Sequence, residues 1–402
     1  MTANRLLQNN LIRIKKTDYK KKEKIFNSIL KKNLQNINNE NNIFHILSKN
    51  FKLNFNLKDL KKFKKFQSIV IIGMGGSILG AEAIYEFLKH KVKKKIYFLD
   101  DLSEEKIIQI KRNLKIKKTL FLIISKSGNT VETSANLFLF NILKKNAKNI
   151  ILISEKKNNF LNFLSKKFNL FFIEHKDYIG GRYSVLSEVG AVPTLLMGLS
   201  FKKLRSNILK YIRGENLTYL KKSTIQLSYL LKQNKSNNLI FLNYSPKLEK
   251  FLFWLQQLIG ESLGKKGLGF LPVVSNVPKD HHSLLQLYLD GPKNKVFYIF
   301  SLDIKESKKI KTKKIFKDMN FLNYKRLQQI KTAQKKALIQ CFKKNKIIFK
   351  EISIDKINEK TLGELFSYFI IETIFLGEIS RINPFDQPAV EQVKVFTKKS
   401  LS

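Results

Sequence analysis

From Gln67 onward, short apolar runs alternate with stretches whose apolar residues recur every three or four positions. The runs are Ser68–Gly73, Lys95–Asp100, Thr119–Ser125, Asn149–Ser154 and Leu170–Ile173. Continuous apolar runs of this length, without polar alternation, are the mark of parallel strands buried on both faces. A second series, Leu239–Asn243, Val296–Phe300 and Ile347–Ile352, is separated by helical patterns at Pro246–Leu263, Leu322–Phe342 and Lys360–Ile382. The pattern predicts an α/β fold of two doubly wound parallel-sheet domains. Residues 1–65, with Ile25, Ile29 and Leu30 and then Ile43, Ile46 and Leu47 at helical intervals, are expected to form helices covering a core made elsewhere. The first α/β domain is expected over 66–200, and connecting helices with the second domain over 201–382. A helical tail is expected over 383–402, with Asp386 capping the last helix and Pro388 in its first turn.

A length of 402 residues suits two domains, and 43% hydrophobic residues with 32 Phe and 13 Tyr exclude a disordered chain. The net charge of +45 raises nucleic acid as a partner. Lysines are spread along the whole chain, however, and no zinc-finger spacing or RNA-binding signature accompanies them, so no specific nucleic acid is expected. Such a surface draws in small anionic substrates. The sole cysteine, Cys341, excludes an internal disulfide and a thiolate metal cluster, and is read as a small buried apolar residue. Residues 1–13 lack the apolar core of a signal peptide, and no run approaches the ~20 residues of a membrane span. The expectation is a cytoplasmic protein without membrane contact.

Two segments carry phosphate chemistry. Gly73-Met-Gly-Gly-Ser-Ile-Leu-Gly80 follows the first run and opens a helical stretch, which puts backbone N–H groups and Ser77 where a helix start accepts an anion. A dinucleotide fingerprint requires glycine at the position of Ile78, so a phosphate or sugar hydroxyl is the preferred ligand. Asp100 and Asp101 keep an NAD reading open, and a tight turn without ligand is the alternative. Ser125-Lys-Ser-Gly-Asn-Thr-Val-Glu-Thr133 offers hydroxyls, a glycine and a lysine at a strand end, the makings of a phosphate cradle or of a helix cap. Gly260–Gly267 resembles a nucleotide P-loop only superficially, because Lys266 stands where Ser or Thr is required. On the helix before it, Gln257 and Glu261 are four apart and share a face, which makes Glu261 either a general base or a solvated carboxylate. His281-His282 has no partner at metal-ligand spacing, which favours proton transfer or a plain loop.

Gly73-x-Gly-Gly-Ser77, Ser125-Lys-Ser-Gly-Asn-Thr130, Gly180-Gly-Arg-Tyr-Ser184, Gln257-x-x-x-Glu261-Ser-x-Gly-Lys265, His282-x-x-x-Gln286-Leu, and Gln387 with Lys394 stand in one order along the chain. In that order they resemble the glucose-6-phosphate isomerase family. The resemblance implies two sugar-isomerase (SIS) domains and reversible interconversion of glucose 6-phosphate and fructose 6-phosphate through a cis-enediol, in glycolysis and gluconeogenesis, with no metal and no cofactor. It implies that Ser125, Ser127 and Thr130, with backbone around Lys126, hold the phosphate close to Ser77. Glu261 would move the proton, Arg182 would stabilise the intermediate, Lys394 and His282 would assist ring opening, and Gln257 and Gln387 would position the sugar. In the family the histidine comes from the neighbouring subunit, so a homodimer with shared active sites is expected. Leu263 and Gln392-Val393 depart from the family pattern and leave the reacting groups intact. A bifunctional phosphoglucose/phosphomannose isomerase is the nearest rival, disfavoured by the Gln387-to-Lys394 tail and the length. A non-catalytic sugar-phosphate sensor would need only the cradle.

Overall fold

The computed structural model describes residues 8–10, 12, 14–304, 308–312 and 317–402. The sequence reading of residues 1–13 therefore falls largely outside the described residues. Ten strands are present: β1 Gln8–Asn10, β2 Ser68–Gly73, β3 Lys95–Leu99, β4 Thr119–Ile124, β5 Ile150–Ser154, β6 Phe171–Glu174, β7 Asn238–Asn243, β8 Leu271–Asn276, β9 Lys295–Leu302 and β10 Ile348–Ile354. One sheet has the order β3-β2-β4-β5-β6 and is wholly parallel. The other has the order β1-β10-β9-β7-β8 and is parallel except for β1, which lies antiparallel on β10.

Alternate residues of the buried strands feed opposite cores, which is why the runs read as continuously apolar. In the first sheet Ile69, Ile71, Leu120, Leu122 and Ile151 enter one core, while Val70, Ile72, Phe121, Ile123 and Leu152 enter another. The first of these cores also receives Leu239, Phe241, Val296, Tyr298 and Phe300 from the second sheet, whose other face packs Ile240, Leu242, Phe297 and Ile299 against Leu338 and Phe342. The sheets thus share a central layer, through which runs the helix Glu359–Ile379, buried on nearly every side. Trp254 of the helix Glu249–Leu263 meets its Phe366 edge-on, ring centroids 4.7 Å apart. Phe26 and Phe44 pack on its Phe375 and bring the N-terminal segment onto this layer.

Three features depart from the sequence reading. Two strands lie outside the apolar runs, the polar β1 and the partly exposed β8, which contains Pro272. Asp386 caps no helix. The last helix is Val390–Leu401 with Ala389 at its start and Pro388 before it, and the Asp386 carboxylate instead meets Lys265 at 2.9 Å and Asn383 at 2.8 Å. Cys341 is exposed, because it falls beside rather than within the buried Leu338/Phe342 stripe of the helix Leu327–Lys344.

Two buried ionisable groups make the fold sensitive to charge. Lys350 on β10 is fully buried and donates to Glu372 Oε1 (2.7 Å), Tyr368 OH (2.6 Å) and Ser223 Oγ (3.0 Å). His175, at the end of β6, is buried with Nδ1 2.8 Å from the Lys176 carbonyl and with Nε2 unpartnered, and burial pushes its pKa down to about 4. Glu372→Ala strands the Lys350 ammonium and is expected to cost about 3–5 kcal/mol, whereas Lys350→Met with Glu372→Leu recovers most of that loss. Urea midpoints decide it, and a loss below about 1 kcal/mol for the single variant would refute the buried pair. For His175 the unfolded chain binds a proton near the ordinary 6.5 and the folded one only near 4. Stability is therefore complete above the unfolded value and falls by up to about 3 kcal/mol as pH drops through the folded one. His175→Asn should flatten the urea midpoint against pH over that window.

Candidate active site

In the first sheet the chain moves from β2 to β3 on one side and then crosses to β4 on the other, so the switch point lies between β2 and β4. Ligands of such sheets sit in the crevice at the carboxyl ends of the strands flanking that point. Gly73 pairs with Ile124 at the last rung, so the loops that follow leave the sheet side by side. One carries Ser77, half-buried, in the turn Gly75–Ser77. The other carries Ser125, which is buried, with its Oγ 2.7 Å from Thr130 Oγ1 and accepting from Gly128 N at 3.1 Å. Ser127 Oγ accepts from Asn129 N. Thr130 begins the helix Val131–Phe140, whose first turn no side chain caps. Hydroxyls beside an uncapped helix start are groups that can accept a phosphate-sized anion. Lys126 turns its ammonium to Glu155, 3.4 Å away, leaving its backbone on the loop.

A second cluster forms around Arg182 in the turn Gly181–Leu186. Its side chain is 1% exposed and all five N–H groups are engaged. Nε donates to Ser262 Oγ (2.8 Å), Nη1 to Glu261 Oε2 (3.3 Å) and to Gln387 Oε1, and Nη2 to the carbonyls of Pro384 and Asp386. Glu261, in the last turn of its helix, keeps 31% exposure, and Gln257 Nε2 donates to its Oε1 at 2.9 Å. Gln257 Oε1 is buried without a partner, an acceptor that a substrate hydroxyl would satisfy. A half-exposed carboxylate oriented by a fixed cation and an amide is equipped to take up and return a proton.

The glycine turn joins the two clusters. A Cβ on Gly73 would come 2.9 Å from the Ile124 carbonyl, one on Gly75 2.7 Å from Gln257 Nε2, and one on Gly76 would overlap the Gly181 carbonyl. The turn that carries Ser77 thus leaves β2 beside the end of β4 and packs against Gln257 and Gly181.

The structure thus brings together Arg182, Glu261, Gln257 and Gln387, and sets Ser125, Ser127 and Thr130 on one loop with Ser77 on its neighbour. It does not bring His282 or Lys394 to them within this chain. His282 is exposed on the turn Lys279–His282 after β8. Lys394 is exposed on the last helix and pairs with Glu391 at 2.6 Å. Sequence reasoning passed over Ser262 and Tyr183, whose hydroxyls meet at 2.8 Å, and Lys265, which holds the tail through Asp386. All three stand inside the quoted motifs, so position was their signal. Asn159, packed against Gly128, had no local signal.

A family model described as phosphoglucose isomerase matches residues 58–269. The chain is 34% identical over 380 residues to a probable glucose-6-phosphate isomerase of Methanococcus maripaludis, covering 91% of this chain and 85% of the relative. It is 32% identical over 346 residues to the glucose-6-phosphate isomerase of Methanocaldococcus jannaschii, covering 84% and 85%. Among solved structures, a glucose-6-phosphate isomerase from Chlamydia trachomatis shares the fold with a TM-score of 0.79 at 17% identity, over 98% of this chain and 88% of that one.

Gly128 sits at φ +70° with Asn159 where a Cβ would go. Gly128→Ala is therefore expected to distort the hydroxyl loop and weaken binding of inorganic phosphate by at least about tenfold, with the far-UV spectrum unchanged. Calorimetric titration checks it, and undiminished affinity would remove this loop as the receptor.

Proposed function

The chain belongs to the phosphoglucose isomerase family, and from that premise we propose that it interconverts glucose 6-phosphate and fructose 6-phosphate at the β2/β4 crevice. The observation that carries this reading is the Glu261 carboxylate held by Arg182 and Gln257, with Gln257 against the glycine turn that leaves β2 alongside the end of β4. The phosphate anchors on Ser125, Ser127 and Thr130, and its binding energy orients the reacting carbons. In the opened aldose Glu261 takes the C2 proton, and the electron pair forms the C1–C2 double bond as negative charge passes to O1. Transfer of the O2 proton to O1 passes through the cis-enediol and moves the negative charge to O2, and return of the Glu261 proton to C1, with O2 becoming the carbonyl, gives the ketose. Arg182 stabilises that charge through Nη1, whose donors engage Glu261 and Gln387. Gln257 and Gln387 position the sugar hydroxyls.

Ring opening is assigned to His282 and Lys394, both supplied from outside the cluster. The exposure of His282 supports its serving the site of a second copy, and hence a homodimer with shared sites. No helix among the described residues is long and apolar enough to cross a membrane, which is compatible with a cytoplasmic enzyme.

Purified protein given fructose 6-phosphate, without added metal or nucleotide, should form glucose 6-phosphate in a coupled assay. Glu261→Gln should lower turnover by about 10²–10⁴-fold with phosphosugar affinity nearly unchanged, the signature of a lost general base. Unchanged turnover would remove Glu261 from the mechanism, and ligand binding without turnover in the parent protein would identify a sensor.

A further inference from the structure

A cleft of about 590 Å³, with none of the proposed catalytic residues in its lining, is bounded by Ser48 and Lys49, by Lys202 and the segment from Arg205 to Lys210, and by Arg213, Gly214 and Asn216. That volume suits a small organic ligand. Five of its lining residues are cations, Lys49, Lys202, Arg205, Lys210 and Arg213, and none is Asp or Glu. Only Lys210 has a carboxylate partner among them, Glu364 at 2.7 Å.

Arg205 is the built part of the cleft. Its guanidinium donates to the carbonyls of Ile46 and Leu186 (2.7 Å each) and Ser48 (2.9 Å), and lies over the Phe51 ring. These bonds fix its position, and the buried Glu188 carboxylate offsets only part of its charge. The helix Gly214–Gln233 begins at the same cleft with no side-chain cap, its positive dipole end set against Glu215 in the first turn. Like charges gathered in a concavity raise the local potential and concentrate anions there.

We infer that this cleft is a second anion site, distinct from the catalytic crevice, that takes a small organic molecule bearing two phosphate groups. With Lys210 satisfied by Glu364 and the charge of Arg205 offset in part by Glu188, Lys49, Lys202 and Arg213 remain beside it, three cations and part of a fourth. Two phosphate monoesters carry roughly three to four negative charges near neutral pH, which matches them.

The global charge of +45 makes unspecific anion binding the rival, and the test separates the two. Inorganic pyrophosphate is titrated calorimetrically into the full chain at 150 mM salt with fructose 6-phosphate saturating the crevice. One site is expected. Lys49→Ala with Lys202→Ala and Arg213→Ala, all exposed side chains, should weaken it about tenfold or more while leaving isomerase activity unchanged. Removal of three equally exposed lysines elsewhere, Lys115→Ala with Lys117→Ala and Lys118→Ala, should not. Titrations with a hexose bisphosphate and with ADP then tell separated from adjacent phosphates, the tighter ligand naming the carrier. Equal weakening in both triple variants, loss of the signal with fructose 6-phosphate, or no binding at this salt concentration would overturn the inference.

Discussion

A guanidinium that is 1% exposed must find acceptors for five N–H groups, and Arg182 finds them on two segments far away in the chain. One is the Glu261-Ser262 end of a helix from the second half; the other is the Pro384–Gln387 tail. Leaving any of these bonds unmade would strand a buried charge, so the three segments have to assemble together. Tyr183 strengthens the joint, its hydroxyl lying 2.8 Å from both Ser262 Oγ and the Pro384 carbonyl, and Trp254 Nε1 ties the backbone of Arg182 to the same helix. The direction in which Glu261 faces is thus a consequence of burying an arginine.

That joint also sets how closely the backbones approach. The Gly75–Ser77 turn passes between the Gly181 carbonyl and Gln257 with no room for a side chain at Gly76. Because the same turn grows out of β2, whose last residue is hydrogen-bonded alongside β4, the distance from hydroxyl loop to carboxylate is fixed by sheet register and by backbone contact. Rigid elements on both sides suit a reaction in which one end of the substrate is held while a proton moves at the other.

Most strands were legible because parallel strands buried on both faces are mostly apolar, a polar residue such as Lys350 being admitted only with buried partners. β8 was not, since Leu271-Pro-Val-Val-Ser-Asn276 is only partly buried and carries a proline, and the polar β1 is held by its pairing to β10. Local signals failed where a distant partner won. Asp386 has the residue type of a cap, but Lys265, over a hundred residues earlier, claims its carboxylate. The hydroxyl loop and the Gln257/Glu261 face were readable from spacing, whereas the contact of Arg182 with Gln387 was not, because nothing local records a meeting between a turn and a tail.

The large positive charge and the phosphate receptor have separate physical roles. Lysines spread over the surface lengthen the reach of the field and raise the rate at which anions arrive, without distinguishing one anion from another. Discrimination needs donors at set positions, and the proposed receptor provides them from hydroxyls and an uncapped helix start, while the one lysine in its loop, Lys126, is drawn off to Glu155. A neutral, directional receptor inside a cationic surface binds by geometry what the surface gathers by charge. The proposed phosphate loop therefore does not draw on the lysines that dominate the surface.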